Sequence, residues 1–358
     1  MSEPIATTGG TRTMMAIVQE RYGAEPEAVL RTVRLARPGV RPGGVLVRVR
    51  ASSVDRGTWH MMAGLPYAVR PVSGLRRPKL PNPGRNIAGV VEAVGSDVTG
   101  FAPGDEVYGT AVAAFAEYAV ASPERIAPKP TGLTFEEAAT VPVSALTALQ
   151  AVRDKGKVQQ GQHVLITGAA GGVGTFAVQL AHAFGARVTA VASTPKLDAV
   201  RALGADHVID YTREDFLAGP RRYDTIIDIA GNRRLRDLRR ALTRHGRLVI
   251  TGGETNGLWL GGTDRQLRAQ VLSPFTGQHL GTFISSEHAD GLRDLTALID
   301  AGTLSPAVDC VYPLAETAAA VRHLLDGRVT GKLALTMPGE MSTSDATARR
   351  GRPDGWDT

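Results

Sequence analysis

The sequence is poor in cysteine: its 358 residues contain a single one, Cys310. One cysteine excludes a disulfide framework, a zinc site built from several cysteines and a CxxC redox pair. No apolar run is long enough to cross a bilayer, so we expect no membrane partner. Residues 1–13 lack the apolar segment and the positive cluster of a secretory signal. A cytoplasmic location is therefore expected.

Lysine is also scarce, since only six of the 41 basic residues are lysines. The formal net charge is +6, but 35 acidic residues are interspersed with the basic ones. The densest arginine cluster, within residues 233–244, falls on a predicted helix and is typical of a solvated helix face. No nucleic-acid-binding motif is present, and we expect no nucleic-acid partner.

The pattern of apolar residues predicts an α/β fold. Residues 14–140 contain short alternating runs separated by proline and glycine turns, which indicates β-rich structure. Residues 141–306 turn to helix and then alternate strand and helix, which predicts a doubly wound parallel sheet. Residues 307–337 contain two further strands that are expected to return to the first domain. The tails, 1–13 and 338–358, are polar and are expected to be flexible or disordered.

The most informative segment is Val164–Gly174, VLITGAAGGVG. A buried strand, a glycine-rich turn and an amphipathic helix follow one another there, an order typical of a dinucleotide pyrophosphate site. The predicted cofactor contacts in this loop are Gly168, Ala170, Gly171, Gly172, Val173 and Gly174. By itself the spacing also suits short-chain dehydrogenases. Those enzymes begin with the motif and need YxxxK, and here no tyrosine has a lysine four residues on.

The whole order resembles the medium-chain dehydrogenase/reductase superfamily, and within it the zinc-free quinone oxidoreductase-like branch. The segments that carry the resemblance are ASSVDRGTWHMMAG (51–64), PGRNIAGVVEAVGSDVTGFAPGDEVYG (83–109), VPVSALTALQAV (141–152), GAAGGVG (168–174), LGADHVIDY (203–211) and GKLALT (331–336). The resemblance implies a chaperonin-10-like substrate domain, an inserted Rossmann domain that binds the cofactor, and a C-terminal return. It also implies a homodimer through the last Rossmann strand, predicted at Leu280–Ile284.

Residues after the second Rossmann strand favour NADP over NAD. An NAD-specific domain ends this strand with an acidic residue, whereas here Ser193, Thr194 and Lys196 follow it. Hydroxyls and an ammonium suit a 2′-phosphate. The alternative is that the hydroxyls only cap the next helix and the lysine is a surface charge. The resemblance supports 2′-phosphate roles for Lys196 and Tyr211, and it places Lys332 near the cofactor. Further predicted contacts at strand ends are Asn232, Gly252 and Gly253.

The usual zinc ligands of this superfamily are missing. Asp55 stands where the first cysteine is expected, Gly84-Arg85-Asn86 replaces the histidine motif, and Val143 and Ser144 fall near the third ligand. We therefore predict no metal site. A rebuilt zinc site that uses Asp55 and His60 is the alternative.

Without a Lewis acid, a conjugated acceptor is an easier hydride acceptor than a simple carbonyl, because negative charge develops on a remote oxygen. The sequence thus predicts zinc-independent, NADPH-dependent reduction of a small quinone or α,β-unsaturated carbonyl. The alternatives are an alcohol or aldehyde dehydrogenase of the same fold and a non-catalytic NADPH sensor. The resemblance points to Asp55, His60 and Tyr67 as catalytic candidates, although quinone oxidoreductases carry Asn and Asp where this chain has Asp55 and Thr58. Packing roles are the alternative for each.

Overall fold

The computed structural model describes residues 12–252 and 259–338. Its strands are β1 (Thr13–Val18), β2 (Arg31–Ala36), β3 (Val45–Val54), β4 (Asn86–Val94), β5 (Glu106–Thr110), β6 (Tyr118–Ala121), β7 (Ile126–Pro128), β8 (His163–Thr167), β9 (Arg187–Ala192), β10 (His207–Asp210), β11 (Tyr223–Asp228), β12 (Leu242–Ile250), β13 (His279–Thr282), β14 (Val308–Pro313) and β15 (Lys332–Thr336). Its α-helices are α1 (Pro26–Val29), α2 (Arg56–Ala63), α3 (Arg70–Ser73), α4 (Phe135–Thr140), α5 (Pro142–Leu149), α6 (Gly172–Ala183), α7 (Leu197–Ala202), α8 (Leu235–Ala241), α9 (Thr263–Leu272), α10 (Ala289–Asp300) and α11 (Thr317–Leu325). None of these helices is long and apolar enough to cross a membrane.

The β-rich sheet combines strands from the N-terminal and the C-terminal parts of the described chain. Its order is β14-β15-β3-β4-β5-β7, with β6 paired to β3, while β1 and β2 form a separate ribbon. Strand β15 runs antiparallel to β3 and pairs Leu333 with Val54. Buried side chains such as Val47, Ile87 and Phe115 fill the core below this sheet. The chain therefore leaves this sheet after β7 and returns to it at β14.

The second sheet is parallel throughout, with the order β10-β9-β8-β11-β12-β13. Central strand β8 is apolar on both faces: Val164 and Ile166 pack into one core cluster and Leu165 into another. Helices on both faces require this continuous apolar run. The strand order reverses between β8 and β11, and ligands of such sheets bind beside the carboxyl ends of the strands at that point.

The glycine loop connects β8 to α6. Gly168 adopts a φ of +65°, a left-handed conformation that favours glycine. A Cβ atom on Gly174 would lie 2.1 Å from the carbonyl oxygen of Gly168, so no side chain fits there. Phe176 and Leu180 bury the inner face of α6 against the sheet. The loop therefore turns sharply, and the first backbone N–H groups of α6 lie at the carboxyl edge.

The two sheets are also joined through α10. The hydroxyl of Tyr108, on β5, donates to the carbonyl oxygen of Leu292 at 2.6 Å and lies 2.9 Å from the hydroxyl oxygen of Thr296. Burial raises the pKa of Tyr108 well above its ordinary value. Glu287, just before α10, accepts hydrogen bonds from Arg125 and from Thr110 in the β-rich part. These bonds tie the segment around α10 to the β-rich sheet.

The predicted α/β fold is confirmed, with shifts at several ends. The last Rossmann strand, predicted at Leu280–Ile284, is observed at His279–Thr282. After α5 the helix continues over Gln150–Lys155 with wider, π-type turns, which the apolar pattern does not reveal. The predicted domain boundaries stay predictions, and the predicted tails lie mostly outside the described residues.

The last strand of the parallel sheet, β13, has a partner only on its β12 side within the described residues. Exposed apolar side chains surround this edge, with Phe275 82% and Ile284 96% exposed. An apolar edge of this kind suits a protein contact. The homodimer expected from the sequence stays a prediction, and the molecular mass in solution tests it.

The glycine loop generates a stability prediction. Gly174→Ala forces a Cβ atom against the Gly168 carbonyl and should lower the free energy of unfolding by about 1–3 kcal/mol, as overpacking does. Gly132→Ala is the matched control, because its Cβ atom would have open space around it. Urea denaturation of both variants measures the difference. Equal stability of the two variants would contradict the geometry of the loop.

Candidate functional site

The beginning of β15 lies directly on the glycine loop. The backbone N–H of Gly331 donates to the carbonyl oxygen of Ala170 at 2.8 Å, and Gly331 and Gly171 form a short parallel bridge. A Cβ atom on Gly172 would lie 2.7 Å from Cδ of Lys332. The aliphatic stem of the lysine occupies the space next to Gly172, so a side chain at this position would collide with it. The two sheets meet at this contact between the glycine loop and the start of β15, which we call the junction.

Lys332 carries a buried charge into the junction. Its side chain is 2% exposed, and Nζ donates to the carbonyl oxygen of Val54 at 3.0 Å. Nζ also lies 3.8 Å from Oδ2 of Asp55. Burial lowers the pKa of Lys332, and the Asp55 carboxylate opposes that change. The pair is thus an ion pair between the returning strand β15 and the start of α2.

Asp55 is the N-cap of α2. Its Oδ1 accepts from the backbone N–H of Thr58 at 2.9 Å, and its Oδ2 accepts from Nδ2 of Asn86 at 3.0 Å. Burial alone would raise the pKa of Asp55, but Lys332 and these hydrogen bonds outweigh it and hold the pKa below its usual value. Asp55 is therefore a carboxylate at neutral pH, and its oxygens are already occupied.

The segments that correspond to zinc ligands in the superfamily are Asp55, Gly84-Arg85-Asn86 and Val143-Ser144, and they are neighbours here. Asn86 links them, because its Nδ2 donates to Asp55 and its Oδ1 accepts from the backbone N–H of Val143 at 3.1 Å. Only Asp55 among the six residues of these segments is an ordinary zinc ligand, and Arg85, at the histidine position, is a cation that pairs with Glu287. The described residues contain no group of three or more His, Cys, Asp or Glu side chains that could hold a metal ion. This donor set does not fit a catalytic zinc ion.

His60 lies on α2, and Tyr67 lies on a short turn of 3-10 helix shortly after it. Nδ1 of His60 lies 2.9 Å from the carbonyl oxygen of Leu65, beyond the end of α2, and its ring packs edge-on against Trp59. The Tyr67 ring packs against Trp259, with 5.3 Å between ring centres. Both side chains are half-buried. The structure therefore gives these two candidates packing contacts, and their catalytic roles stay predictions.

A cavity of about 400 Å³ opens at the carboxyl edge of the parallel sheet. Its lining comes from the ends of neighbouring strands and the segments that follow them: Thr167, Gly168, Val191, Tyr211, Phe216, Ala230, Asn232 and Arg233. Three of the predicted cofactor residues, Gly168, Tyr211 and Asn232, thus share one cavity. Its position beside the glycine loop fits the adenosine half of a dinucleotide.

Of the predicted 2′-phosphate residues, Ser193, Thr194 and Lys196 follow β9, whose end borders this cavity. Nζ of Lys196 donates to the carbonyl oxygens of Gly327 and Val329 at 2.7 and 2.8 Å. Burial lowers the pKa of Lys196. The side chain of Ser193 makes no capping hydrogen bond to the following turn. Lys196 is therefore partly buried and engaged rather than a free surface charge.

A buried ion pair at the same edge has no signal in the sequence. Nη1 of Arg265, on α9, lies 2.5 Å from Oδ2 of Asp228, whose side chain is fully buried. Arg265 also donates to the carbonyl oxygens of Arg233 and Gly252, while Thr167 donates to Asp228. One guanidinium therefore fixes the segments after β11 and β12. Gly252 itself packs so tightly on Ile229 that no Cβ fits, and Gly253 lies outside the described residues.

The junction and the carboxyl-edge cavity together define a nicotinamide-dinucleotide-binding dehydrogenase fold. The family description "Alcohol dehydrogenase GroES-like domain" matches residues 41–151, and "Zinc-binding dehydrogenase" matches residues 203–335. The chain belongs to the medium-chain dehydrogenase/reductase superfamily, as its sequence predicts.

Individual relatives agree with this assignment. The mouse mitochondrial NAD(P)H oxidoreductase RTN4IP1 is 32% identical over 92% of this chain and 90% of its own length. The 2-methylene-furan-3-one reductase of Solanum lycopersicum is 32% identical over 71% of this chain and 63% of its own. The structure of the quinone oxidoreductase from Coxiella burnetii is 30% identical, with a TM-score of 0.79, over 91% of this chain and 99% of that one.

The chain also resembles part of a much longer protein. It is 35% identical to the polyketide synthase protein NorB of Streptomyces orinoci over 88% of its own length. That match spans only 14% of NorB. The same fold therefore occurs both as a chain of this size and within a multidomain protein.

The buried ion pair at the junction generates the next prediction. Asp55→Asn and Lys332→Met should each lower the free energy of unfolding by about 3 kcal/mol, because each leaves one buried charge without its partner. The double variant should lose less than the sum of the two single losses. Urea denaturation measures the coupling.

The exposed pair Asp326–Arg328 serves as the control for this cycle. Asp326→Asn and Arg328→Met should show a coupling below about 1 kcal/mol, as surface pairs do. Additive losses for Asp55 and Lys332 would show that the two charges do not stabilise one another.

Proposed function

We propose that the protein is a zinc-independent oxidoreductase that transfers hydride from NADPH to a small conjugated acceptor, a quinone or an α,β-unsaturated carbonyl. The observation that carries this proposal is the state of the three segments that correspond to zinc ligands, where Asn86 is hydrogen-bonded to both Asp55 and Val143, and Arg85, at the histidine position, forms an ion pair with Glu287. Such a site offers no Lewis acid for a simple alcohol or carbonyl. Two proteins that the chain resembles, a quinone oxidoreductase and a furanone reductase, are named for reactions of this class.

The residues present fit a dinucleotide. The bare glycine loop and the start of α6 would hold the pyrophosphate, with Gly171, Gly172 and Val173 closest to it. The cavity lined by Tyr211 and Asn232 would take the adenosine half. When bound, the dinucleotide supplies the hydride, and every other contribution comes from the protein.

NADPH is proposed over NADH because of the residues after β9. No acidic residue lies in β9 or in the turn that follows it, and Lys196 brings an ammonium to that turn. Tyr211 borders the same end of the cavity. A cation with neighbouring hydroxyls suits a phosphate better than a ribose hydroxyl.

The protein would contribute charge stabilisation and a proton. Hydride addition to the β-carbon of an enone, or to a quinone, moves an electron pair to the acceptor oxygen, and a proton then completes the reduction. Tyr67 and His60 are the candidate donors, with Asp55 as an orienting group.

Loss of a general acid lowers kcat by about 100-fold or more, so Tyr67→Phe and His60→Phe would identify the donor.

The activity itself is directly testable. Purified protein should oxidise NADPH with quinones or α,β-unsaturated ketones, and excess EDTA should leave the rate unchanged, because the donor set does not fit zinc. Loss of absorbance at 340 nm measures the reaction. An alcohol panel with and without added zinc is the control.

Two results would contradict the proposal. Zinc-dependent alcohol oxidation without turnover of any conjugated acceptor would identify an alcohol dehydrogenase of the same fold. Tight NADPH binding, with no oxidation of the NADPH by any of the quinones or α,β-unsaturated ketones, would favour a non-catalytic sensor.

A further inference from the structure

A carboxylate lies beside the end of β9, although β9 itself contains none. It belongs to Asp210, the last residue of the neighbouring strand β10, whose backbone is in register with Ala192 of β9. The Asp210 side chain is only 8% exposed. The next residue, Tyr211, lines the carboxyl-edge cavity. The parallel pairing thus brings an acidic group to the place where the sequence of β9 alone indicates none.

This carboxylate holds the hydroxyl that is expected to bind a 2′-phosphate. Oγ1 of Thr194 donates to Oδ2 of Asp210, and Oδ1 accepts from the backbone N–H and the hydroxyl of Thr212 at 2.9 and 2.7 Å. The hydrogen bonds from Thr194 and Thr212 hold the pKa of Asp210 below its usual value. A hydroxyl has one proton, so Thr194 cannot donate to a phosphate while it donates to Asp210.

The cation expected at the same place is also engaged. Lys196 donates two of its three N–H groups to the carbonyl oxygens of Gly327 and Val329. A 2′-phosphate would therefore meet one remaining ammonium donor and the Asp210 carboxylate, which also pairs with the exposed guanidinium of Arg213, Nε lying 3.6 Å from Oδ2. A ribose 2′-hydroxyl, in contrast, can donate a hydrogen bond to a carboxylate.

We propose that Asp210 is a specificity-determining residue that weakens the preference of this site for NADPH over NADH. It does so by repelling the 2′-phosphate and by keeping the Thr194 hydroxyl from donating to it. The inference rests on the proposed function, because it requires the adenosine half of the cofactor at this edge. It adds that discrimination between NADPH and NADH comes from β10 as well as from the residues that follow β9.

The test compares 2′,5′-ADP with 5′-ADP, which differ in the 2′-phosphate and carry no nicotinamide. Asp210→Asn keeps the shape, removes the charge and lets the new amide donate to Thr194, which frees the threonine proton. The Kd of 2′,5′-ADP should fall about fivefold to tenfold, while the Kd of 5′-ADP stays unchanged or rises. Isothermal titration calorimetry on the full chain measures both values.

Asp215→Asn is the matched control. Asp215 is a more exposed carboxylate that pairs with Arg233, on the rim of the same cavity. Its replacement should change the affinity for both nucleotides alike. An unchanged ratio of the two Kd values in Asp210→Asn would overturn the proposal.

Thr194→Val provides a second test that does not depend on the folding of the Asp210 variant. If Asp210 engages the hydroxyl, removal of the hydroxyl should change the Kd of 2′,5′-ADP by less than about twofold. A loss of about tenfold would show that Thr194 donates to the phosphate, and would overturn the inference while leaving the proposed reductase activity intact. A wild-type protein that binds neither nucleotide would overturn both the inference and the proposed function.

Discussion

The contact between the glycine loop and the start of β15 is the constraint on which the rest of the structure depends. Gly331 bonds to Ala170, and Lys332 fills the space that a side chain on Gly172 would need. The lysine charge is then buried 3.8 Å from Asp55, the N-cap of α2. Because burying an unpaired charge is costly, the returning strand, the glycine loop and the start of α2 must assemble together.

This junction also limits the chemistry. Asp55 is occupied by Lys332, Thr58 and Asn86, and Asn86 in turn holds the backbone of Val143. The segments that supply metal ligands in zinc enzymes of the superfamily are thus joined here by a hydrogen-bond network. A conjugated acceptor, whose negative charge hydrogen bonds can stabilise, is the substrate class that we propose for such a site.

Local patterns in the sequence predicted the parts of the fold that depend on local physics. The apolar run of β8, the glycine loop and the spacing of α6 each carry their own signal, and the structure has them where the sequence places them. The partners of Asp228 and Thr194 could not be predicted, because Arg265 and Asp210 are 37 and 16 residues away along the chain. The pairing of β10 with β9 brings Asp210 to Thr194, and α9 brings Arg265 to Asp228. The spacing of residues in the sequence predicts neither contact.

Amide hydrogen exchange with and without NADPH tests the central claim most directly. If the cofactor binds at a junction made by both sheets, added NADPH should slow exchange in the glycine loop, at Gly331 and Lys332, and in the first turn of α2. The last two regions lie far from the loop in sequence and belong to the β-rich part. Protection confined to residues 163–252 would contradict the claim that the returning strand forms part of the cofactor site.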